Sequence, residues 1–556
     1  MSSADLAGEG THRSPANVVA ALTAGAGLAL LGYCFICFLA VALRAIRYPY
    51  ELDYGEGIVW QQMRLMFTGK AYAPVNGYPG IVFHYPPIYH STVEALATIS
   101  GMDEVAAGRL ISLIATLLCS LIIGGLTSWI VARRSKAPIA AVCGAFSSLT
   151  CFTLLPVTYW AMVMRVDMLA LFFSLAGLSF GVGSLTKPVR VYTAALCFIA
   201  AVFTKQIAIA APASVFAVLL IVRPATAWRG ILACLVGGSV VLAALAFATN
   251  GGILRHLFVY NVNRFNPTGL ELIPAVMLNN ILFFAALAAG VLWLIRKQAV
   301  FYAGLPSWLD RRAKLIASQD DPATLMILVY FVATTLVALL VAKSGANINY
   351  LVEWLLAGSI FAGLSVHDAV ARAMGEAQPQ ASAFSILLPA ALGVQALVAA
   401  AHVGWQLDVR EQRRQELDQL VALVHSAPHP IISDDMVLLQ RGGKNVVIEA
   451  AIFAELTSTG RWDERPFIRH ILSDDFSFFI TEGDRGGREF DSRYTPAVVS
   501  ALDKAYPNKC LLGGYVIHYP THSEGSYPPV RVGATHSQLG RCNANKLAGS
   551  ETPSRA

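Results

Sequence analysis

Residues 191–222 read VYTAALCFIAAVFTKQIAIAAPASVFAVLLIV. The run is apolar except at Thr204-Lys205-Gln206. A membrane-spanning helix needs roughly 20 mostly apolar residues. A stretch of 32 is therefore long for one span and short for two. A lysine in hydrocarbon is costly unless it faces protein or water. Two short helices joined at Thr204–Gln206 meet both constraints.

Nine other apolar runs lie near 17–43, 106–132, 139–157, 167–185, 229–248, 273–295, 323–342, 349–366 and 383–402. With the broken run counted as two, eleven spans are expected. Composition agrees. Of 556 residues, 56% are hydrophobic before glycine is counted and 14% are charged, against about 45–50% apolar and about 25% charged in soluble domains. This excludes a disordered chain, a collagen, a small disulfide scaffold and a wholly soluble enzyme. The basic residues lie in short loops between apolar runs, so the net charge of +6 marks no nucleic-acid partner. The first apolar run follows a short tail, 1–16, and is too long for a signal-peptide core, so it reads as a retained span.

Lys and Arg in short loops set orientation. The clusters are Arg133, Arg134 and Lys136; Lys187 and Arg190; Arg223 and Arg229; and Arg296, Lys297, Arg311, Arg312 and Lys314. With eleven spans all four share one side, the cytoplasm. A single span at 191–222 would put the last two clusters outside. The loop 44–105 and everything after 403 then face away from the cytoplasm.

The tail from 403 is rich in charge, Pro, Gly and Asp. Asp408–His425 carries apolar residues at helical spacing, and Lys444–Glu449, Phe476–Thr481 and Cys510–His518 read as strands. An extracytoplasmic α/β domain over 403–542 is expected, with 543–556 as a disordered tail. Seven cysteines sit in apolar spans as small buried residues. Cys510 and Cys542 lie in the tail, on the side that permits oxidation, and can pair or stay free.

The first external loop begins Glu51-Leu52-Asp53-Tyr54-Gly55-Glu56-Gly57. Three carboxylates within six residues at a membrane surface repel one another and lose solvation. Both effects raise pKa values and favour a proton acceptor. Asp53 and Glu56 share a face if a helix starts at Gly55; the bland alternative is a solvated loop. Further on stand His84, Tyr85, Pro86, Pro87 and Tyr89. The paired prolines should start a helix lying along the membrane to Ile99. Tyr85 and Tyr89 read as interface anchors or as substrate contacts.

Other polar groups fall at external ends of spans: Arg165 and Asp167, then Lys205 and Gln206, then Lys343, Asn347, Asn349, Tyr350 and Glu353. Ionisable groups at membrane depth line a cavity or pair together. An Arg165–Asp167 pair with snorkelling lysines is the plain alternative. Under one topology all of them lie on the external side, which favours a shared cavity. Its cations suit the phosphate of a lipid carrier, and its carboxylates suit deprotonation of an attacking hydroxyl. The tail domain would help bind the acceptor or cover the site; Trp405 and Trp462 are candidate exposed aromatics there, with ordinary core as the plainer reading.

The stretches Glu51–Gly57, His84–Tyr89, Met164–Ser174, Phe203–Gln206 and Gly345–Glu353, in this order and on one side, resemble bacterial GT-C membrane glycosyltransferases. The nearest branches are the protein mannosyltransferase-like and lipid A aminoarabinose transferase-like groups. The resemblance covers about 1–402 and extends loosely into the tail. It implies an α-helical polytopic fold in a bacterial-type inner membrane, and a sugar taken from a polyprenyl-phosphate carrier. The sugar passes to a cell-envelope acceptor hydroxyl on a glycan, lipid or protein. Asp53 would be the base and Glu56 the second acid, with a divalent metal bridging them or none. Arg165 and Lys205 would neutralise the leaving phosphate; Asn349, Tyr350 and Glu353 would touch the donor. Many of the class carry adjacent Asp-Glu, whereas here two residues separate the acids. Two other readings stand beside this one: a transporter or flippase for a lipid-linked or anionic solute, because broken helices with ionisable groups also build such sites, and a membrane scaffold with a binding tail.

Overall fold

The protein is described by a computed structural model over residues 14–261, 264–302, 307–318, 321–376, 382–521 and 542. The expected tail 543–556, and most of the tail 1–16, lie outside these residues. The first helices are α1 (Pro15–Arg47), α2 (Glu56–Phe67), α3 (Ile88–Ser100), α4 (Glu104–Ala132), α5 (Ala137–Thr150) and α6 (Leu155–Trp160). They continue with α7 (Asp167–Ser184), α8 (Arg190–Val202), α9 (Ala210–Val222) and α10 (Pro224–Ala248).

Every expected apolar run is helical. The run 191–222 breaks around Lys205, between Val202 and Ala210, as its composition demands. Among the described residues seven helices are long and apolar enough to cross a membrane, or eight if the pair Pro267–Asn279 and Ile281–Arg296, bent by 87°, is one span. The segments Ala137–Thr153, Arg190–Val202 and Ala210–Val222 are shorter apolar helices. At 1.5 Å per residue, α8 and α9 are each about 20 Å long, less than a hydrocarbon core of about 30 Å.

The bundle forms around one helix. All of Val352–Ser365 is buried, which fits a helix apolar on every side. Small residues let its neighbours approach. A Cβ on Gly363 would lie 2.8 Å from the Cys143 carbonyl oxygen, and the Ser147 hydroxyl donates to the Ser359 carbonyl at 2.7 Å. By contrast, none of the apolar window of α10 is buried, so that helix faces outward to lipid.

The loop after α1 folds into α2 and α3, the latter starting right after Pro86-Pro87 as expected. The tail makes the small α/β domain. Its sheet has the order β1-β2-β4-β3, from β1 (Ile432–Ser433), β2 (Phe479–Thr481), β3 (Asn508–Leu512) and β4 (Tyr515–Tyr519). β1 pairs parallel with β2, and the other pairings are antiparallel. Two strand expectations are corrected. Residues 444–449 join no sheet. The stretch 510–518 is a hairpin, because Gly513 and Gly514 both take positive φ and turn the chain. Cys510 and Cys542 are bonded to each other.

The domain is seated on the loop after α1. Arg441 pairs with Asp103 and donates to the Pro49 carbonyl at 2.8 Å. Gln440 donates to the Gly57 carbonyl at 2.8 Å. Gly57 is needed here, since a Cβ would lie 2.6 Å from that of Met436. The tail domain and the loop acids therefore lie on one face, while Lys136 and Glu376 meet at the other end of the bundle, 3.5 Å apart.

Candidate functional site

Glu56 opens α2 with its side chain wholly buried. Arg109, also wholly buried, donates to both of its oxygens, from Nε at 2.8 Å and from Nη2 at 2.7 Å. The Leu52 and Met164 N–H groups donate to Glu56 as well, each at 2.7 Å. Arg109 uses its remaining donors on the carbonyls of Ala45, Tyr48 and Tyr50. Burial raises the Glu56 pKa, but the charge and hydrogen bonds of Arg109, with the two backbone donors, outweigh it and leave the group below the ordinary glutamate value. The residue expected as a second acid is thus the partner of a buried arginine. This pairing argues against a divalent metal shared with Asp53, because a guanidinium fills the place of the cation. Among the described residues no group of three or more His, Cys, Asp or Glu side chains could hold a metal.

Asp53, three residues earlier, is placed differently. Its Oδ2 accepts the Gly55 N–H at 3.1 Å and lies 3.3 Å from Nη1 of Arg165. Burial raises its pKa more than Arg165 and Gly55 lower it, and the Glu56 charge adds to the rise. Gly55 leaves the room for this pair: a Cβ there would overlap the Arg165 guanidinium. Arg165 also donates to the Tyr85 hydroxyl at 3.3 Å, and its Nε has no partner.

The plain alternative of an Arg165–Asp167 pair gives way to two other pairs. Arg165 takes Asp53, and Asp167 takes Lys205, whose Nζ donates to Oδ1 at 2.5 Å. Asn349 donates to the same oxygen at 2.8 Å. Lys205 sits 4.7 Å over the Tyr350 ring, and Lys343 donates to the Tyr350 hydroxyl at 3.3 Å. Gln206 donates to the His84 carbonyl at 2.7 Å, fastening the helix break to the first loop. Burial, with Lys343, His256 and Arg165 nearby, pushes the His84 pKa down to about 3. The break and the loop are thus brought together as the common sidedness implied.

Two other expected site residues point away from both cavities. Tyr89 is buried, its hydroxyl donating to the Gly108 carbonyl at 3.0 Å. Glu353 turns into the bundle and accepts from Ser174 and Tyr330, each at 3.1 Å. Trp462 is core as read, but Trp405 is 64% exposed.

Asp53 lines the first of two adjoining cavities. The first, of about 450 Å³, lies between the membrane helices and the tail domain. Its wall includes Glu51, Asp53, Tyr54, Arg410, Arg413 and Arg493. The second, also about 450 Å³, is lined mainly by apolar groups, among them Ala45, Leu155, Pro156, Trp160, Met162 and Val163, with Asn347 and Ile348 at one side. Leu52, Tyr159, Trp405, Gln406 and Arg410 line both.

The tail domain supplies groups the sequence reading missed. Arg493 lies 4.2 Å over the Tyr54 ring and pairs with Asp434 at 3.0 Å and Glu482 at 2.8 Å. Glu449 is buried with Oε2 unpartnered, and burial, opposed by Arg165 and Arg493, pushes its pKa up to about 7. Arg410 donates to the Glu51 carbonyl at 2.7 Å. Only Arg109 had a readable signal, as a charge inside the apolar run 106–132.

The helical membrane bundle, with polar groups gathered at one end and a small α/β tail domain, is a fold shared with solved membrane proteins. The solved structures with this fold include ArnT from Cupriavidus metallidurans in the apo state, at 14% identity and TM-score 0.53, covering 87% of this chain and 97% of that one. ArnT from Cupriavidus metallidurans bound to undecaprenyl phosphate matches at 15% identity and TM-score 0.51, covering 88% of this chain and 98% of that one. The archaeal oligosaccharyltransferase AglB from Archaeoglobus fulgidus, in complex with an inhibitory peptide and a dolichol-phosphate, gives 10% identity and TM-score 0.49, covering 90% of this chain and 75% of that one. No protein-family model matches the chain, and no curated protein does.

Proposed function

We propose that the protein is an inverting glycosyltransferase of a bacterial-type inner membrane. It moves a sugar from a polyprenyl-phosphate carrier to an acceptor hydroxyl on the external side. The observation that carries this reading is Asp53, paired with Arg165, in the wall of a polar cavity that shares the neighbouring Leu52 with an apolar one. An amphipathic donor fits these two cavities, with its prenyl chain along the apolar walls and its sugar toward Asp53. The ArnT structure bound to undecaprenyl phosphate supports a carrier of this chemistry.

Asp53 accepts the proton of the acceptor hydroxyl. The acceptor oxygen forms a bond to the anomeric carbon as the bond from that carbon to the phosphate oxygen breaks. The electron pair leaves on polyprenyl phosphate, and one displacement inverts the anomeric centre. Arg165, with Lys205 and Lys343 behind it, compensates the developing phosphate charge. A phosphate that draws Arg165 toward itself also frees Asp53 to act as base. The test gives purified protein in nanodiscs a panel of radiolabelled polyprenyl-phosphate sugars with membrane extract as acceptor. Label moving to product supports the reading. Transport of a solute into vesicles with no donor consumed contradicts it.

A further inference from the structure

Resting on the glycosyl-transfer reading, we infer that the acceptor is a carbohydrate chain held in the polar cavity between the membrane helices and the tail domain, with Trp405 as its stacking platform. At about 450 Å³ this cavity falls in the range of ligand sites, roughly 300–1,000 Å³. Its wall alternates aromatic rings with charged groups. Tyr159, Trp405 and Tyr515 stand among Glu51, Arg413 and Glu482. Aromatic rings match the apolar C–H face of a sugar, and carboxylates and guanidinia match its hydroxyls.

The rings are held in place. The Tyr159 hydroxyl donates to the Leu52 carbonyl at 2.8 Å, and the Tyr515 hydroxyl donates to Asp435 at 2.9 Å. Trp405 is 64% exposed, although it lines both cavities. Glu51 is 5% exposed, and its Oε2 has no hydrogen-bond partner, so it offers an acceptor for a ligand hydroxyl. Gly514, at φ +88°, lets the Arg413 guanidinium lie against the turn, where a Cβ would collide with it.

The other acceptor classes fit less well. A lipid acceptor needs apolar walls, and those belong to the second cavity. A peptide is commonly held by strand addition at a sheet edge. The part of the sheet that lines this cavity is the turn Gly513-Gly514-Tyr515, and the Gly513 N–H is already given to Glu416 at 3.0 Å.

The test uses the full chain in nanodiscs with a labelled polyprenyl-phosphate sugar that the wild type consumes. Three acceptors compete: a mixture of linear neutral oligosaccharides, a Ser/Thr-rich peptide, and a sugar-free hydroxyl lipid. Tryptophan fluorescence follows oligosaccharide binding without donor. The expected result is label on the oligosaccharide, with quenching that is lost in Trp405→Ala. That variant should raise the oligosaccharide KM about tenfold relative to any change in kcat, and Trp405→Phe should recover most of it because a ring remains. Label on peptide or lipid alone, with acceptor KM the same in Trp405→Ala, overturns the inference. If no donor is consumed, the glycosyl-transfer reading falls separately, and the quenching result decides whether this cavity binds carbohydrate.

Discussion

Two acids from one stretch of seven residues each pair with a distant arginine and end in opposite states. Glu56 and Arg109 are both fully buried, and every oxygen of the glutamate is met by a guanidinium or a backbone N–H. Asp53 and Arg165 meet through a longer contact of 3.3 Å at a cavity wall. The first acid is held below its ordinary pKa and the second above it. Residue type and position in sequence barely differ. The number of donors around each carboxylate does, and it separates a clasp that builds the loop from the acid proposed as base.

The largest expected effect comes from breaking the clasp. Arg109→Ala leaves a buried glutamate uncompensated, a loss of about 3–5 kcal/mol against total stabilities of about 5–15 kcal/mol. The variant should not survive size-exclusion chromatography as a monodisperse species. A well-folded Arg109→Ala protein would show that the clasp is dispensable.

Next is Asp53→Asn. Loss of the base should lower the transfer rate by about 10²–10⁴-fold while the thermal midpoint stays near wild type. In the wild type, activity should fall as pH falls through the Asp53 pKa, so the acid limb of the profile should stand above the usual aspartate value of 3.8.

A smaller effect is expected from Gly55→Ala. Its Cβ must displace the Arg165 guanidinium, which removes a group that lowers the Asp53 pKa. The acid limb should move to higher pH, with about a tenfold loss of rate where Asp53 is protonated, a shift of one unit being a factor of ten. An unchanged pH profile would separate Arg165 from the base.

The smallest effect concerns Glu449. Its folded pKa, about 7, lies above the ordinary 4.5, so the folded state binds the extra proton. That stability is fully present below pH 4.5 and is lost as pH rises through about 7. The thermal midpoint should decline over this window in wild type and stay flatter in Glu449→Gln. Equal slopes would remove Glu449 as the source.

Much of the membrane domain was legible because burial in lipid leaves long apolar runs, and because one lysine forces the break between α8 and α9. The one-sided grouping of Asp53, Arg165, Lys205 and Lys343 followed from the same runs. What the runs do not reveal is which way a polar side chain turns. Tyr89, Glu353 and Glu56 look in sequence like Tyr85 and Asp53, yet each finds its partners inside the protein. The groups from the tail domain were hidden for another reason. Arg493 and Glu449 approach the loop only through long-range packing, and Trp405 is exposed because two cavities meet beside it.

The most direct test sets Asp53→Asn beside Glu56→Gln in one preparation and records donor consumption and thermal midpoint for both. The account predicts an Asp53→Asn protein that melts like wild type and consumes donor about 10²–10⁴-fold more slowly, and a Glu56→Gln protein whose midpoint falls sharply. Wild-type turnover in Asp53→Asn, or a Glu56→Gln protein that melts normally but is inactive, would contradict the division between the two acids.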